Sequence, residues 1–331
     1  MEFTGGGQLT VRITPDDVGK RVSVRRTEEA GLPGAKFTDT VGVLTSWNDG
    51  VLSITRRSGE VVRIDASALV AGKVVPAAPA RRRGPAATFE ELARVTARAW
   101  QPVESEPLGA WQLRAAGGFT RRANSALPLG DPGMPLDAAL ERVREWYARR
   151  GLPAYVQTAT GAAGTQELLA AELARRGWTL EVTAEVWTGA LAPVGDLDAD
   201  VSRVRLDRAC DAGWLSRYQR FTEPGPHVLK VLGSGPSVWF ASVPGTEGAP
   251  AAIGRCVVDG RWAGFMAVEV APECRRQGLA SAVMAALARR ALDEGASAAW
   301  LQVEADNESA RALYSPMGFA AHHSYHHFRS A

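Results

Sequence analysis

The chain has 331 residues, 46 % of them hydrophobic and 22 % charged, with a formal charge of +2 at pH 7. A domain usually takes about 100 to 200 residues, so two or three domains are expected, and the balanced charge excludes a global pull toward nucleic acid or an anionic membrane. Cys210, Cys256 and Cys274 form no spaced framework, no leader-like segment opens the chain and no apolar run nears spanning length, so a soluble cytoplasmic protein is expected.

Residues 1–75 carry short β-type runs at 21–26, 41–47, 51–56 and 61–64, divided by turn signals at Asp49-Gly50 and Ser58-Gly59. Hairpins this short usually close as a small all-β barrel, which looks SH3-like. Its basic residues, among them Arg25, Arg56 and Arg63, could face a nucleic acid. Acidic residues such as Glu28, Glu29, Asp39 and Glu60 interrupt them, and Phe3, Phe37 and Trp47 are too few for a stacking platform. Packing or partner docking is the expected role, and nucleic acid is not an expected partner. Residues 76–87, PAAPARRRGPAA, have linker composition, with Arg81, Arg82 and Arg83 in a row.

Beyond the linker, residues 136–151 have helical periodicity and end at Gly151. A strand-like LPAYVQT, a short helix closing on Gly177-Trp178 and a further strand TLEVTAEVW follow. The segment Gly117-Gly118-Phe119-Thr120-Arg121-Arg122-Ala123-Asn124-Ser125 is polar and glycine-hinged, which suits either a tight hairpin or a substrate-contacting loop.

The last third repeats this order. An apolar strand ends at Val268-Glu269-Val270, a turn Arg275-Arg276-Gln277-Gly278-Leu279-Ala280 opens a long amphipathic helix, and Gly295 closes it. A strand AAWLQVE, a short helix ending at Gly318-Phe319 and a last strand AAHHSYHHF complete the unit, so one α/β unit is duplicated. The second copy's turn is an anion cradle: Gly278 permits close approach, Ala280 keeps the first turn small, orphan N–H groups point outward and two guanidinium groups flank them. The matching turn in the first copy, Gly130-Asp131-Pro132-Gly133-Met134-Pro135, has an aspartate and N–H-less prolines and would repel phosphate.

Arg275, Gly278 and Ala280 fit the pattern Arg/Gln-x-x-Gly-x-Gly/Ala. Asn307-x-x-Ala310-x-x-Leu313-Tyr314, followed by Gly318-Phe319, fits a second signature downstream. In these motifs the chain resembles the GNAT superfamily of acyl-CoA-dependent N-acetyltransferases. The resemblance implies an α/β (α+β) tandem GNAT fold, with a degenerate copy over 88–192 and an active copy over 193–331 behind the barrel. It also implies acetyl-CoA as co-substrate and a primary amine as acceptor, with no metal. Val268 and Val270 would hold the pantetheine arm with Asn307, the 275–280 turn would hold the pyrophosphate, and Tyr314 would protonate the departing sulfur. Asn307 could equally be a helix cap, and Tyr314 a packing residue.

Some relatives carry a glutamate where Gln302 stands here. Glu304, two residues along and therefore on the same face, is the first candidate base, and Glu269 is the second. Either could instead pair with Arg275 or Arg311. His322 and His326 share one face of the last strand and His323 and His327 the other, too few per face for a zinc site, so packing or lining of the acceptor cleft is expected. The domain order resembles an actinobacterial acetyltransferase group for which N-acetylglutamate synthase activity, the first step of arginine biosynthesis, is proposed. A protein lysine is a second acceptor class, a regulatory CoA-binding protein without turnover is a third reading, and a homo-oligomer is compatible with the sequence.

Overall fold

The structure is a computed structural model that describes residues 10–27, 37–76, 84–218, 225–245 and 248–331. Phe3, Glu28, Glu29 and the Arg81–Arg83 run lie outside the described residues. Two compact units emerge, one of Met1–Pro79 with Thr158–Trp178, the other of Ala80–Gln157 with Thr179–Ala331.

In the first unit, β1 (Arg21–Thr27), β2 (Phe37–Asn48), β3 (Val51–Thr55), β4 (Val61–Asp65) and β5 (Leu69–Val74) form an antiparallel sheet in the order β4-β3-β2-β1-β5. Val22, Val24, Leu44, Leu52, Ile54 and Ile64 alternate inward to make its core. Asp49 and Gly50 both have positive φ, the backbone a two-residue hairpin turn requires. Charges pair locally: Arg25 with Asp39 at 2.7 Å, Arg56 with Glu60 at 3.0 Å and Lys20 with Asp17 at 2.8 Å. The helix over Glu167–Arg175 belongs to this unit and touches β2, and the Thr160 hydroxyl donates to the Arg57 carbonyl at 2.8 Å. So the strands dock a piece of the first α/β repeat.

The second unit contains α1 (Phe89–Arg98), β6 (Glu104–Leu108), β7 (Trp111–Ala115), β8 (Leu127–Pro128), α2 (Leu136–Ala148) and the start of β9 (Tyr155–Thr160). With Glu167–Arg175 as α3, it continues through β10 (Thr179–Ala190), α4 (Ala192–Gly195), β11 (Arg205–Asp207), α5 (Ala212–Arg217) and α6 (Pro226–Leu232). The second repeat follows: β12 (Ser237–Val243), β13 (Ala252–Asp259), β14 (Trp262–Val270), α7 (Leu279–Asp293), β15 (Ala298–Glu304), α8 (Glu308–Tyr314) and β16 (Ala320–Arg329). β6, β7 and β8 make a small sheet. The large sheet runs β11-β12-β13-β14-β15-β10-β16-β9.

That order exchanges the final strands of the two repeats. β10 ends the first repeat yet pairs along its length with β15, while β16 ends the second repeat and lies between β10 and β9. On one side of the second repeat's sheet, α7 presents Val283, Met284, Leu287, Ala288 and Ala291 to Ala241, Cys256, Phe265 and Leu301. Its alanine-rich, apolar stripe suits both helix propensity and close approach to the strands.

Candidate functional site

β14 and β15 run parallel and pair from Trp262 with Ala298 to Phe265 with Leu301. Both continue, to Val270 and Glu304, but among the described residues their mutual register ends there. At the same level β14 slips against β13 between Ile253 and Arg255, and Ala267 takes φ +53, which marks a bulge. The result is a wedge between two strands of one sheet, edged by backbone groups of Met266 to Val270.

Past Val270 the chain makes a short helical turn over Pro272–Cys274 and then the exposed stretch Arg275, Arg276, Gln277 and Gly278. Arg276 has φ +64 and Gly278 φ +76, and no side chain caps α7, so the first N–H groups, including Leu279 and Ala280, keep their donors. A Cβ on Gly278 would have nothing within 4 Å, so the space over the helix start is open. The first repeat differs: Asp131 Oδ1 accepts from the Gly133 N–H at 2.7 Å, and Pro135 stands at the start of α2. A carboxylate and N–H-less prolines thus stand in the turn where the second repeat has arginines and Gly278.

Val268, Glu269, Glu304, Asn307 and Tyr314 line one cavity of about 540 Å³. Val270 and the 275–280 turn lie outside that lining, on the same run of chain as β14 and α7. Asn307 Oδ1 accepts from the Ala310 N–H at 3.0 Å, so the residue caps α8 and still offers its amide NH₂ to the cavity. Tyr314 is half-buried against Phe319, edge to face with centroids 6.0 Å apart, and burial pushes its phenol up to about 12. Glu269 and Glu304 are half-buried at the ends of their strands. Arg311 is engaged by Glu185 at 2.7 Å.

The rest of the lining comes from residues that no sequence pattern brings together. Trp100, Phe119, Arg121, Arg122, Tyr155, Tyr218, Tyr325 and His327 belong to it, with Val182 and Ala184 as its floor. Ala184 is in register with Glu304 on one side and with Tyr325 on the other, so these three share a row on one face. The alternation of Tyr325 and His327 along β16 was the available signal. The 117–125 segment is a turn with one short helical stretch, Arg121–Ala123, that reaches the cavity. Asn124 holds it, accepting from the Ala116 and Gly118 N–H groups at 2.8 and 3.0 Å and donating to the Phe119 and Thr120 carbonyls at 2.7 and 2.9 Å.

Arg255, fully buried, donates to the carbonyls of Leu232, Ala99 and Ser234 and is pushed down to about 10 by burial. It braces backbone rather than facing a ligand.

His326 turns to the other side of β16, where its Nδ1 lies 3.0 Å from the Thr183 hydroxyl, and burial pushes it down to about 4. An unfolded histidine titrates near 6.5, so between pH ~6.5 and ~4 the unfolded chain takes a proton that the fold refuses. Stability is therefore complete above about pH 6.5 and falls on acidification. We expect a loss on the order of 3 kcal/mol from this group by pH 4, and buried His327, also depressed, acts in the same direction. A urea midpoint that is the same at pH 7.5 and 4.5 would contradict this.

Among the described residues, no three His, Cys, Asp or Glu groups converge as a metal site, and no helix is long and apolar enough to cross a membrane.

A family model described as "Probable histone acetyltransferase Rv0428c C-terminal" matches residues 86–328. The chain is 30 % identical over 308 residues to "Probable histone acetyltransferase Rv0428c" of Mycobacterium tuberculosis, covering 92 % of this chain and 93 % of that protein. It is 26 % identical over 257 residues to the uncharacterized N-acetyltransferase YobR of Bacillus subtilis, covering 73 % and 98 %. A GCN5-related N-acetyltransferase from Kribbella flavida superposes with a TM-score of 0.55 at 17 % identity, over 74 % of this chain and 96 % of that one. A tandem GNAT protein from the clavulanic acid biosynthesis pathway gives 0.52 at 13 % identity, over 75 % and 90 %. The fold is thus the mixed α/β fold of tandem GNAT proteins, and the chain belongs to the Rv0428c C-terminal family, as an acetyltransferase of the GNAT type.

Proposed function

We propose that the second repeat binds acetyl-CoA and transfers its acetyl group to a primary amine held against the first repeat. The observation that carries this is the contrast between the two turns: an open helix start with flanking arginines at Gly278, and one preceded by an aspartate and N–H-less prolines at residues 130–135. Arg275, Arg276, Gln277, Gly278, Leu279 and Ala280 would receive the pyrophosphate. The wedge edged by Val268 and Val270, with the Asn307 amide, would take the pantetheine arm.

The thioester supplies an activated carbonyl, and the residues of the cavity manage its protons. Glu304 takes a proton from the ammonium form of the acceptor, directly or through water, with Glu269 as the second candidate. The amine nitrogen bonds to the carbonyl carbon, the C–S bond breaks, and the nitrogen's second proton leaves to water, which reprotonates Tyr314 after the transfer. Backbone N–H groups of the bulged β14 polarise the oxygen. Tyr314 gives its proton to the sulfur; its raised pKa keeps that proton in place until then.

Tyr314→Phe keeps the edge-to-face contact with Phe319 and removes only the proton donor. Its kcat in a thiol-release assay is expected to fall about 100-fold or more, with acetyl-CoA affinity retained. A kcat within threefold of the parent would remove Tyr314 from the mechanism.

Two acceptor classes compete: a small free amine such as glutamate, and a protein lysine, which the name of the mycobacterial relative suggests. A cavity walled by both repeats favours the small acceptor. The strand order β4-β3-β2-β1-β5 supports an SH3-like reading of the N-terminal strands, with a docking role, while their locally paired charges argue against nucleic acid.

A further inference from the structure

The lining of the cavity also holds polar groups that acetyl transfer leaves unused. Arg122 donates from Nε to the Tyr325 hydroxyl at 3.0 Å, and its guanidinium lies 5.4 Å from the Trp100 ring centroid and 5.9 Å from that of Tyr325. Among the described residues no carboxylate pairs with it. Its neighbour Arg121 is different, held by Glu181 at 2.9 Å. The Arg122 fork therefore faces the cavity backed by aromatic faces, an arrangement suited to a planar two-oxygen anion.

Two further residues of the lining have ring nitrogens without hydrogen-bond partners among the described residues. Both ring nitrogens of His327 are buried without a hydrogen bond in a residue 2 % exposed, and so is Nε1 of Trp100, 4 % exposed. Buried polar groups are nearly always bonded, so the cluster is one that a ligand completes. Burial and the nearby charges of Arg122, Arg114 and Arg121 hold His327 well below the ordinary histidine range. The ring is then neutral and can donate one N–H.

We propose that Arg122, His327 and Trp100 form a carboxylate subsite, and that the acceptor is a free α-amino acid or a comparably small carboxylated amine. The inference rests on the acetyl-transfer reading above. Tyr325, beside Arg122, lies two strands from Glu304 in the same row, about 10 Å between backbones. Side chains reaching in from both ends narrow that interval to one that a single amino acid spans, its amine toward Glu304 and its carboxylate toward Arg122. An internal lysine of a protein has no carboxylate to place there.

The test compares the standard α-amino acids with their α-carboxamides, and with a lysine peptide blocked at both ends, in a thiol-release assay with acetyl-CoA. At least one free amino acid is expected to exceed its carboxamide by 30-fold or more in kcat/KM. Arg122→Leu should collapse that ratio to near one, mainly through KM, and Arg122→Lys should recover part of it, while both variants keep the parent's acetyl-CoA affinity. Equal use of acid and carboxamide, preference for the blocked peptide, or a ratio unchanged in Arg122→Leu would overturn the subsite. If acetyl-CoA binds but no amine is turned over, the transfer reading fails. The subsite is then judged by calorimetry with the same amino acids and carboxamides: binding of an acid that Arg122→Leu weakens tenfold or more supports it, and no such binding refutes it.

Discussion

Gly278→Asp is expected to weaken acetyl-CoA binding at least 100-fold in isothermal titration, about 3 kcal/mol or more. The reasons are electrostatic rather than steric. At φ +76 an aspartate costs on the order of 1 kcal/mol, and nothing within 4 Å would collide with its Cβ, so the variant should fold. Its carboxylate would stand over the uncapped N–H groups of α7, where it satisfies them internally and repels a pyrophosphate. The first repeat likewise sets an aspartate in the turn before its helix, with Asp131 bonded to the Gly133 N–H. Gly133→Asp, at the same φ of +76, is the matched control and should leave the affinity unchanged. A Gly278→Asp protein binding within threefold of the parent would sink the assignment of the turn.

The second large effect concerns stability at the turn over residues 117–125. Asn124, 5 % exposed, receives two backbone N–H groups and donates to two carbonyls. Asn124→Asp keeps its shape and its acceptors but sets an oxygen against the Phe119 and Thr120 carbonyls. Two buried hydrogen bonds become repulsive contacts, so we expect a loss of about 3 to 5 kcal/mol in urea unfolding. Thr120, at φ +52, holds a backbone that a threonine adopts only under constraint, and Asn124 is the constraint. A loss below 1 kcal/mol would mean that the turn is held by something else.

Legibility in the sequence followed the range of the interactions. The 275–280 turn, α7 and the start of α8 were readable as local structure because a glycine, a helical stripe and a capping asparagine each act within a few residues. The aspartate in the 130–135 turn was readable for the same reason. β5 was missed because Leu69–Val74 has no strong alternation and depends on pairing with β1. The strand exchange was missed because register between β10, β15 and β16 is set across more than 100 residues and leaves no local mark. Nothing local in the sequence separates Arg255, bonded to buried carbonyls, from an arginine that faces a ligand, or Arg122 from Arg121, which Glu181 engages.

The exchanged strands also bear on how such a chain can be cut. A fragment of residues 193–331 would carry the 275–280 turn and Tyr314, yet it would lose β10 and β9 together, leaving one edge of β15 and both edges of β16 unpaired and no floor beneath Glu304. The first repeat therefore supplies in cis the strand that joins β15 to β16, and the two repeats are one folding unit rather than two separable ones.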